Sequence, residues 1–251
     1  MKSEANATLI RLGAGTRQSG VRGFTLIDLL VSMSVIAVLV GLLLPSMAGV
    51  RETTRQVVCR NNVRQLGLGM FMYAEDNNDM MPPSIFTASA QSDQVHLATV
   101  VRRATSPVSW EGLGHLYSRD YLPAVGVFYC PSHTGQHPLS RYERYWPDYT
   151  PANGDIVSNF QYRGYTLGTR FLNVAQTVRP TPAMIADGLS TRDDYSHRIG
   201  TNIVRADLSV YWFQDPGGRL VAESLPNQEN EAGASAKVTS AWEQLDTPPL
   251  E

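Results

Sequence analysis

The pattern of apolar positions separates a short N-terminal segment from a much longer mixed region. Residues 24–44 (FTLIDLLVSMSVIAVLVGLLL) contain one formal charge, Asp28. About 20 apolar residues are enough for one helix to cross a bilayer. The apolar region of a secretory signal is shorter and ends at a small-residue cleavage site. The pattern therefore predicts a transmembrane helix over 24–44 that remains part of the protein.

The helix is expected to continue beyond Pro45, because apolar positions then recur at spacings of three and four residues. Such spacing places them on one face of a helix, and arginines occupy the opposite side. Proline inside a helix removes a backbone hydrogen bond and usually kinks it. The sequence predicts an amphipathic extension over 45–75, so that one helix runs from about Phe24 to about Tyr73. The predicted face consists of Met47, Val50, Thr54, Val58, Asn62, Leu66, Met70 and Tyr73.

The remaining pattern is typical of a folded domain with strands. Aromatic residues are concentrated after residue 70, and 203–212 alternate between apolar and polar positions, as in a half-buried strand. We expect hairpin strands around 160–172 and 202–213, and a globular domain over 76–222. The predicted fold class is α+β: a long N-terminal helix packed on an antiparallel sheet. The polar stretch 223–251 is expected to be a flexible C-terminal tail, or else to form a short docked helix.

The distribution of charge argues against nucleic-acid binding but does not fix the orientation of the chain in the membrane. The chain has 21 basic and 23 acidic residues, and this balance gives no indication of nucleic-acid binding. Residues 1–23 are net positive, as expected on the cytoplasmic side of a membrane. Residues 51–64 are also net positive, so the charge rule alone leaves the orientation open.

Residues 23–30 (GFTLIDLL) resemble the processing site of type IV prepilins and type II secretion pseudopilins. The resemblance implies that a prepilin peptidase cleaves between Gly23 and Phe24, removes the 1–23 leader and methylates the new N-terminus of Phe24. It also implies that Asp28 meets the terminal amine of a neighbouring pilin-like subunit. The family usually has Glu there, and Asp is one methylene shorter. The implied location is the inner membrane, single-pass, with the C-terminal domain periplasmic or extracellular.

Further segments resemble the prepilin-like bacterial proteins known by a C-terminal signature of His, nine residues and Asp-Gly. These segments are 59–68, 113–117, 121–123 and 128–132, and His197 is followed after nine residues by Asp207. The glycine of the signature is replaced by Leu208. Because Asp-Gly favours a tight hairpin that needs positive φ, either a different turn forms at 206–207 or one longer strand replaces the hairpin. His197 and Asp207 are interpreted as structural residues that hold a loop by hydrogen bonds.

Cys59 and Cys130 are the only two cysteines. In an oxidising extracytoplasmic space such a pair predicts a disulfide, which would attach the helix to the globular domain. The alternative is a zinc site, because Cys130, His133 and His137 give three possible ligands within eight residues. That stretch also has the character of a loop in which histidines are simply solvated.

No cofactor or catalytic constellation is indicated by the sequence, which contains no phosphate-binding glycine loop, nucleophile elbow or metalloprotease helix. We therefore do not expect an enzyme. Calcium is considered as well as zinc, because oxygen ligands on loops suit it. The candidate ligands are five acids in the later part of the chain: Asp187, Asp193, Asp194, Asp207 and Asp215. The alternative is that these acids are simply solvated.

Two functional hypotheses follow from these features. The first is a structural subunit of a type IV pilus-like or type II secretion pseudopilus assembly, in which apolar helices bundle. The second is a membrane-tethered periplasmic domain that binds a ligand or partner and does not polymerise.

Overall fold

The computed structural model describes residues 24–85, 95, 99–104, 108–147, 149–164, 170–171, 181–197 and 199–247. The chain divides into two compact units, Met1–Ala48 and Gly49–Glu251. The first helix, α1, has the bounds Leu26–Asp76, close to those predicted, and contributes to both units. The predicted 1–23 leader, including Gly23, lies outside the described residues.

In the first unit, α1 is apolar over Leu26–Leu44, with a mean hydropathy of 2.6. None of that segment is buried within the structure. Among the described residues it is the one helix long and apolar enough to cross a membrane.

In the second unit, α1 is buried along one face only from Cys59 onward. Asn62, Leu66 and Met70 lie on this face as predicted. The predicted positions Val50 and Val58 are exposed instead, with 63% and 44% of their surface accessible. The periodic pattern thus extends further toward the N-terminus than the packing does.

A small antiparallel sheet follows, with the strand order β2-β1-β3. Its strands are β1 (Val100–Arg103), β2 (Ser109–Trp110) and β3 (Ile156–Val157). Short helices lie between β2 and β3: α2 (Gly114–Ser118), a 3-10 turn (Val125–Phe128), α3 (Leu139–Tyr142) and 3-10 turns at Glu143–Tyr145 and Pro151–Asn153.

The second sheet is larger and fully antiparallel, with the order β4-β5-β6-β7. The mixed helix and antiparallel-sheet architecture confirms the α+β class. Part of the strand region predicted over 160–172 is β4, while 165–169 and 172 lie outside the described residues. The strands are β4 (Phe160–Tyr162), β5 (Ala183–Asp187), β6 (Gly200–Arg205) and β7 (Val210–Gln214).

The β6–β7 connection is the predicted hairpin rather than one longer strand. Val204 pairs with Val210, and the Leu208 N–H donates to the Arg205 carbonyl at 2.9 Å. Leu208 has φ +65°, which lies in the left-handed region. Glycine, which the signature has at this position, adopts that conformation without steric cost. Asp207 accepts a hydrogen bond from the Ser209 N–H within this turn.

The region 223–251 contains a docked helix, which corrects the expectation of a flexible tail over the helical residues. After α4 (Arg219–Ser224), α5 spans Ala234–Asp246. Trp242 and Leu245 of α5 are completely buried in a hydrophobic cluster with Ile203 of β6. The neighbouring Val204 belongs to the other cluster, which contains the buried face of α1. The larger sheet therefore packs between α1 on one face and α5 on the other.

Candidate functional site

Four buried side chains converge where α1 meets the larger sheet. One potential ligand atom from each residue lies within 4.8 Å of each of the others. We call these residues the cysteine–histidine cluster: Cys59 of α1, Cys130 of the loop after the first 3-10 turn, Asp187 at the end of β5 and His197 before β6.

Local hydrogen bonds hold Cys130 against α1. Asn62, one helical turn after Cys59, donates from Nδ2 to the Tyr129 carbonyl at 3.1 Å. The Cys130 N–H donates to Oδ1 of Asn159, the residue before β4. The segment carrying Cys130 is therefore attached both to the helix and to the start of the larger sheet.

Asp187 is fully buried and accepts hydrogen bonds from several elements. The Cys59 thiol donates to its Oδ2 at 2.9 Å, and Asn202 Nδ2 donates to the same oxygen at 2.9 Å. Thr201 donates to Oδ1. Burial alone would raise the pKa of Asp187, but hydrogen bonding and charge attraction from His197, with the other donors, lower it. The carboxylate is thus held ionised inside the protein.

His197 connects this carboxylate to a second acid. Its Nε2 lies 3.3 Å from Asp187 Oδ2 and 3.4 Å from the Cys130 sulfur. Its Nδ1 lies 2.9 Å from Oε1 of the partly exposed Glu52. Burial would lower the pKa of His197, but the interactions with Asp187 and Cys130 outweigh burial and raise the pKa to about 11. Without another cation, the ring is therefore positively charged at neutral pH.

The two sulfurs are adjacent, and both cysteines are free. The structure thus brings together the residues of the predicted disulfide with both thiols unoxidised. The interaction with Cys59, followed by the one with His197, lowers the pKa of Cys130 to about 7 against the effect of burial. Burial raises the pKa of Cys59, and its interaction with Cys130 acts in the same direction. Cys130 is therefore the more acidic thiol of the pair.

The arrangement of donors limits the chemistry available. Cys130, His197 and Glu52 are ordered like a nucleophile, a base and the group that orients the base. However, only 4% of the Cys130 surface is exposed, so a substrate carbonyl cannot reach the sulfur without rearrangement of the fold. The donor set, two cysteines with a histidine and a carboxylate, contains the residue types that bind zinc.

The zinc trio considered from sequence does not assemble. Nε2 of His133 lies 3.7 Å from Asp194, and His137 contacts Tyr142 and Glu229 at 2.7 and 2.9 Å. Cys130 instead has its partners in the cysteine–histidine cluster. The neighbours of Cys130 therefore come from distant parts of the sequence, and the nearby histidines are not among them.

The five acids considered for calcium go to separate places. Asp187 belongs to the cysteine–histidine cluster, and Asp194 accepts a hydrogen bond from Thr191. Asp215 accepts from the first backbone N–H groups of α4, while Asp207 lies in the hairpin turn. Asp193 is exposed. They therefore do not form a common calcium site in the structure.

The predicted signature pair is also separated in role. His197 is buried in the cluster, whereas Asp207 is exposed at the turn. The sequence reasoning missed Glu52 as a partner of His197, since it counted Glu52 only as a charge on the arginine-rich helix side. The 145 residues between these two positions leave no local spacing signal.

The predicted assembly residues lie in the first unit. Phe24 has 79% of its surface exposed. The exposed Asp28 carboxylate accepts hydrogen bonds from the Thr25 N–H at 3.1 Å and the Thr25 hydroxyl at 2.7 Å. This reciprocal contact caps the first turn of α1.

Comparison with known proteins gives one family. A family model described as SBP_bac_10, Protein of unknown function (DUF1559), matches residues 49–193. The matched range contains Cys59, Cys130 and Asp187 and ends four residues before His197. No curated protein and no solved structure matches the chain.

Proposed function

We propose that this chain, which belongs to the DUF1559 family, is a membrane-anchored structural subunit that assembles with other pilin-like subunits through its N-terminal helix. The observation that carries the proposal is the completely exposed apolar segment Leu26–Leu44 with its single acid, Asp28. The alternative function is a membrane-tethered domain that binds a partner without polymerising.

The apolar segment needs a covering surface. Exposed side chains such as Leu26, Ile36 and Leu42 have between 59% and 88% of their surface accessible. Burial of apolar surface is worth about 25 cal/mol per Å², so a helix of this kind is not stable in water. Lipid covers it in the membrane, and the helices of neighbouring subunits cover it in a filament.

The acid near the start of this segment supports assembly over simple anchoring. A carboxylate within the hydrocarbon costs about 2.5–3.5 kcal/mol on translocon-insertion scales. In the described part of the chain, Asp28 accepts hydrogen bonds from Thr25 alone. A free amine at Phe24 of an adjacent subunit would supply the missing positive charge. Cleavage after Gly23 by a prepilin peptidase would create that amine.

Processing is tested separately from assembly. The intact mass of the protein purified from membranes should correspond to a chain that begins at Phe24 and carries one added methyl group. A chain that retains Met1–Gly23 would contradict the processing step.

Assembly is tested by photocrosslinking in native membranes, with a photoreactive amino acid at Ile36. We expect a ladder of oligomers that disappears in Asp28→Ala, because that variant removes the charge that pairs with the amine. Asp28→Glu retains the charge and should preserve the ladder. Glu75→Ala, which removes an exposed acid elsewhere on α1, is the matched control and should also preserve it. Monomer alone in the unsubstituted protein would instead support the tethered domain.

A further inference from the structure

We propose that Cys59, Cys130, Asp187 and His197 bind one tetrahedral zinc ion that fixes α1 to the larger sheet. This inference does not depend on the proposed function. It rests on the convergence of four ligand atoms within 4.8 Å of one another and on the burial of all four residues.

The distances suit a four-coordinate site. Zinc bonds of about 2.0–2.3 Å place tetrahedral ligand atoms about 3.3–3.8 Å apart. Nε2 of His197 lies 3.4 Å from the Cys130 sulfur and 3.3 Å from Oδ2 of Asp187. The Cys59 sulfur lies 2.9 Å from the same Oδ2. Binding therefore requires the Cys59 sulfur and Asp187 Oδ2 to separate by about half an ångström, and donor atoms as far as 4.8 Å apart to approach by about 1 Å.

The outer contacts are also those of a metal site. A zinc-bound histidine normally donates its other ring N–H to a carboxylate or carbonyl, which fixes the orientation of the ring. Here Nδ1 of His197 faces Glu52 Oε1 at 2.9 Å, so Nε2 points to the other three ligands. The Ser132 hydroxyl donates to Glu52, and Asn202 donates to Asp187. Both acids are therefore held in place by neighbouring side chains.

Zinc binding would displace the proton that Cys59 donates to Asp187 and one ring proton of His197. The ion would then meet two thiolates and one carboxylate in a buried space, and its two positive charges would offset most of their three negative charges. Burying ionised groups is costly unless they are paired or coordinate a metal. Zinc also replaces the proton that would otherwise have to charge the imidazole.

A disulfide is the competing state of the same sulfurs. It would join Cys59 to Cys130, but it would not require the carboxylate of Asp187 or the ring of His197. Both of these groups are nevertheless buried and directed at the sulfurs, at 2.9 and 3.4 Å. A metal would contact all four donors, whereas a disulfide would leave the ring of His197 and the carboxylate of Asp187 to pair with each other.

The filled ligand set indicates a structural site. Four protein donors leave no position for water or substrate, and catalytic zinc sites normally keep one open. The ligands come from α1, the Cys130 loop, β5 and the segment before β6. The ion would therefore connect α1, the Cys130 loop and the β5–β6 region, which are distant from one another in sequence.

The test uses the full chain, purified in detergent with a reducing agent and supplemented with Zn²⁺. Elemental analysis should give one zinc per chain. Replacement by Co²⁺ should produce the visible absorption of a tetrahedral site with thiolate ligands. Cys130→Ser and His197→Gln should each reduce zinc occupancy at least tenfold.

The matched control is His133→Gln, which changes a buried histidine beside another acid, Asp194. This variant should retain one zinc per chain. If the ligand variants do not fold, the cobalt spectrum of the unsubstituted protein and its loss on addition of a chelator still decide the question. Less than a tenth of an equivalent of zinc in the unsubstituted protein would overturn the proposal. A Cys59–Cys130 disulfide in protein trapped directly from native membranes would overturn it as well.

Discussion

At the scale of single residues, Leu208 occupies a position that favours glycine. Its φ of +65° lies in the left-handed region, which costs an L-residue with a Cβ about 1–2 kcal/mol. The side chain offsets part of this cost, because it is partly buried against the core cluster that contains Val204. The turn is therefore strained in its backbone, and the packing of the Leu208 side chain compensates for part of that strain.

Two substitutions at Leu208 separate these effects. Leu208→Ala loses the contact and keeps the strain, whereas Leu208→Gly loses the contact and relieves the strain. We expect the glycine variant to be more stable than the alanine variant by about 1 kcal/mol. Chemical denaturation of both in the same detergent measures the difference. An alanine variant as stable as the glycine variant would contradict the strained turn.

His115 of α2 gives a pH-dependent contribution to stability. It is half-buried beside Tyr73, and burial, followed by repulsion from Arg119, lowers the pKa of His115 to about 4. Between this pKa and the ordinary value of about 6.5, the unfolded chain binds more protons than the folded chain. Stability contributed by the neutral ring is therefore lost as the pH falls through this window.

Replacing this histidine should reduce the acid sensitivity of the domain. Between pH 7 and pH 5, the free energy of unfolding of His115→Gln should fall by about 1–2 kcal/mol less than that of the unsubstituted protein. The substitution also removes the contact with Tyr73. That loss lowers the stability of the variant at both pH values, so it cancels when the change between pH 7 and pH 5 is compared. Parallel stability curves for the two proteins would show that His115 does not titrate in the expected range.

The family resemblance indicated the hairpin, and the residue types indicated the proximity of the two cysteines, but neither revealed the complete cluster. Cys59 and Cys130 stood out because the chain has no others. Asp187 looked like one loop acid among five, although it is the last residue of a buried strand. Its role depends on the pairing of β5 with β6, which brings Thr201 and Asn202 to its carboxylate. Such pairing between distant strands has no local pattern in the sequence.

At the scale of elements, α1 and β6 approach closely at Gly67. A Cβ at this position would lie 2.8 Å from Cγ2 of Val204. From the sequence, Gly67 only weakens a helix, at a cost of about 1 kcal/mol relative to alanine. The structure shows that a larger residue at position 67 would clash with β6, because a β-branched valine has little freedom to move aside.

A double-mutant cycle tests this approach. Gly67→Ala should destabilise the protein by about 1–3 kcal/mol despite its better helix propensity. Adding Val204→Ala should recover at least about 1 kcal/mol relative to the sum of the single changes, because it removes the atoms that clash. Unfolding in denaturant gives all four free energies. A neutral or stabilising Gly67→Ala would contradict the close approach.

Helix boundaries were more predictable than helix packing. The periodic pattern placed the end of α1 within a few residues of Asp76. It did not reveal that burial begins at Cys59, because apolar side chains continue at Val50 and Val58, which none of the described elements covers. The opposite error occurred at α5, where a largely polar composition gave little indication of the five buried apolar positions, Ala234, Val238, Ala241, Trp242 and Leu245.

At the scale of the whole molecule, the exposed apolar segment determines how the protein can be handled. Leu26–Leu44 should hold the chain in the membrane through an alkaline carbonate wash, which releases peripheral proteins. A variant that lacks residues 26–44 should appear in the soluble fraction. Sedimentation followed by immunoblotting distinguishes the two. Release of the unsubstituted chain by carbonate would show that the segment does not span the bilayer.

The docked helix α5 also has a consequence for biosynthesis. The sheet face that contains Ile203 is covered by Trp242 and Leu245, and Arg205 donates to the carbonyls of Leu245, Asp246 and Thr247. The ribosome makes these residues long after α1 and after the sheet itself. Until they emerge, the nascent sheet presents an apolar surface to its surroundings, and the Arg205 guanidinium lacks three of its carbonyl acceptors. Folding of the larger unit must therefore await nearly all of its synthesis, and a chaperone has a defined surface to protect in the meantime.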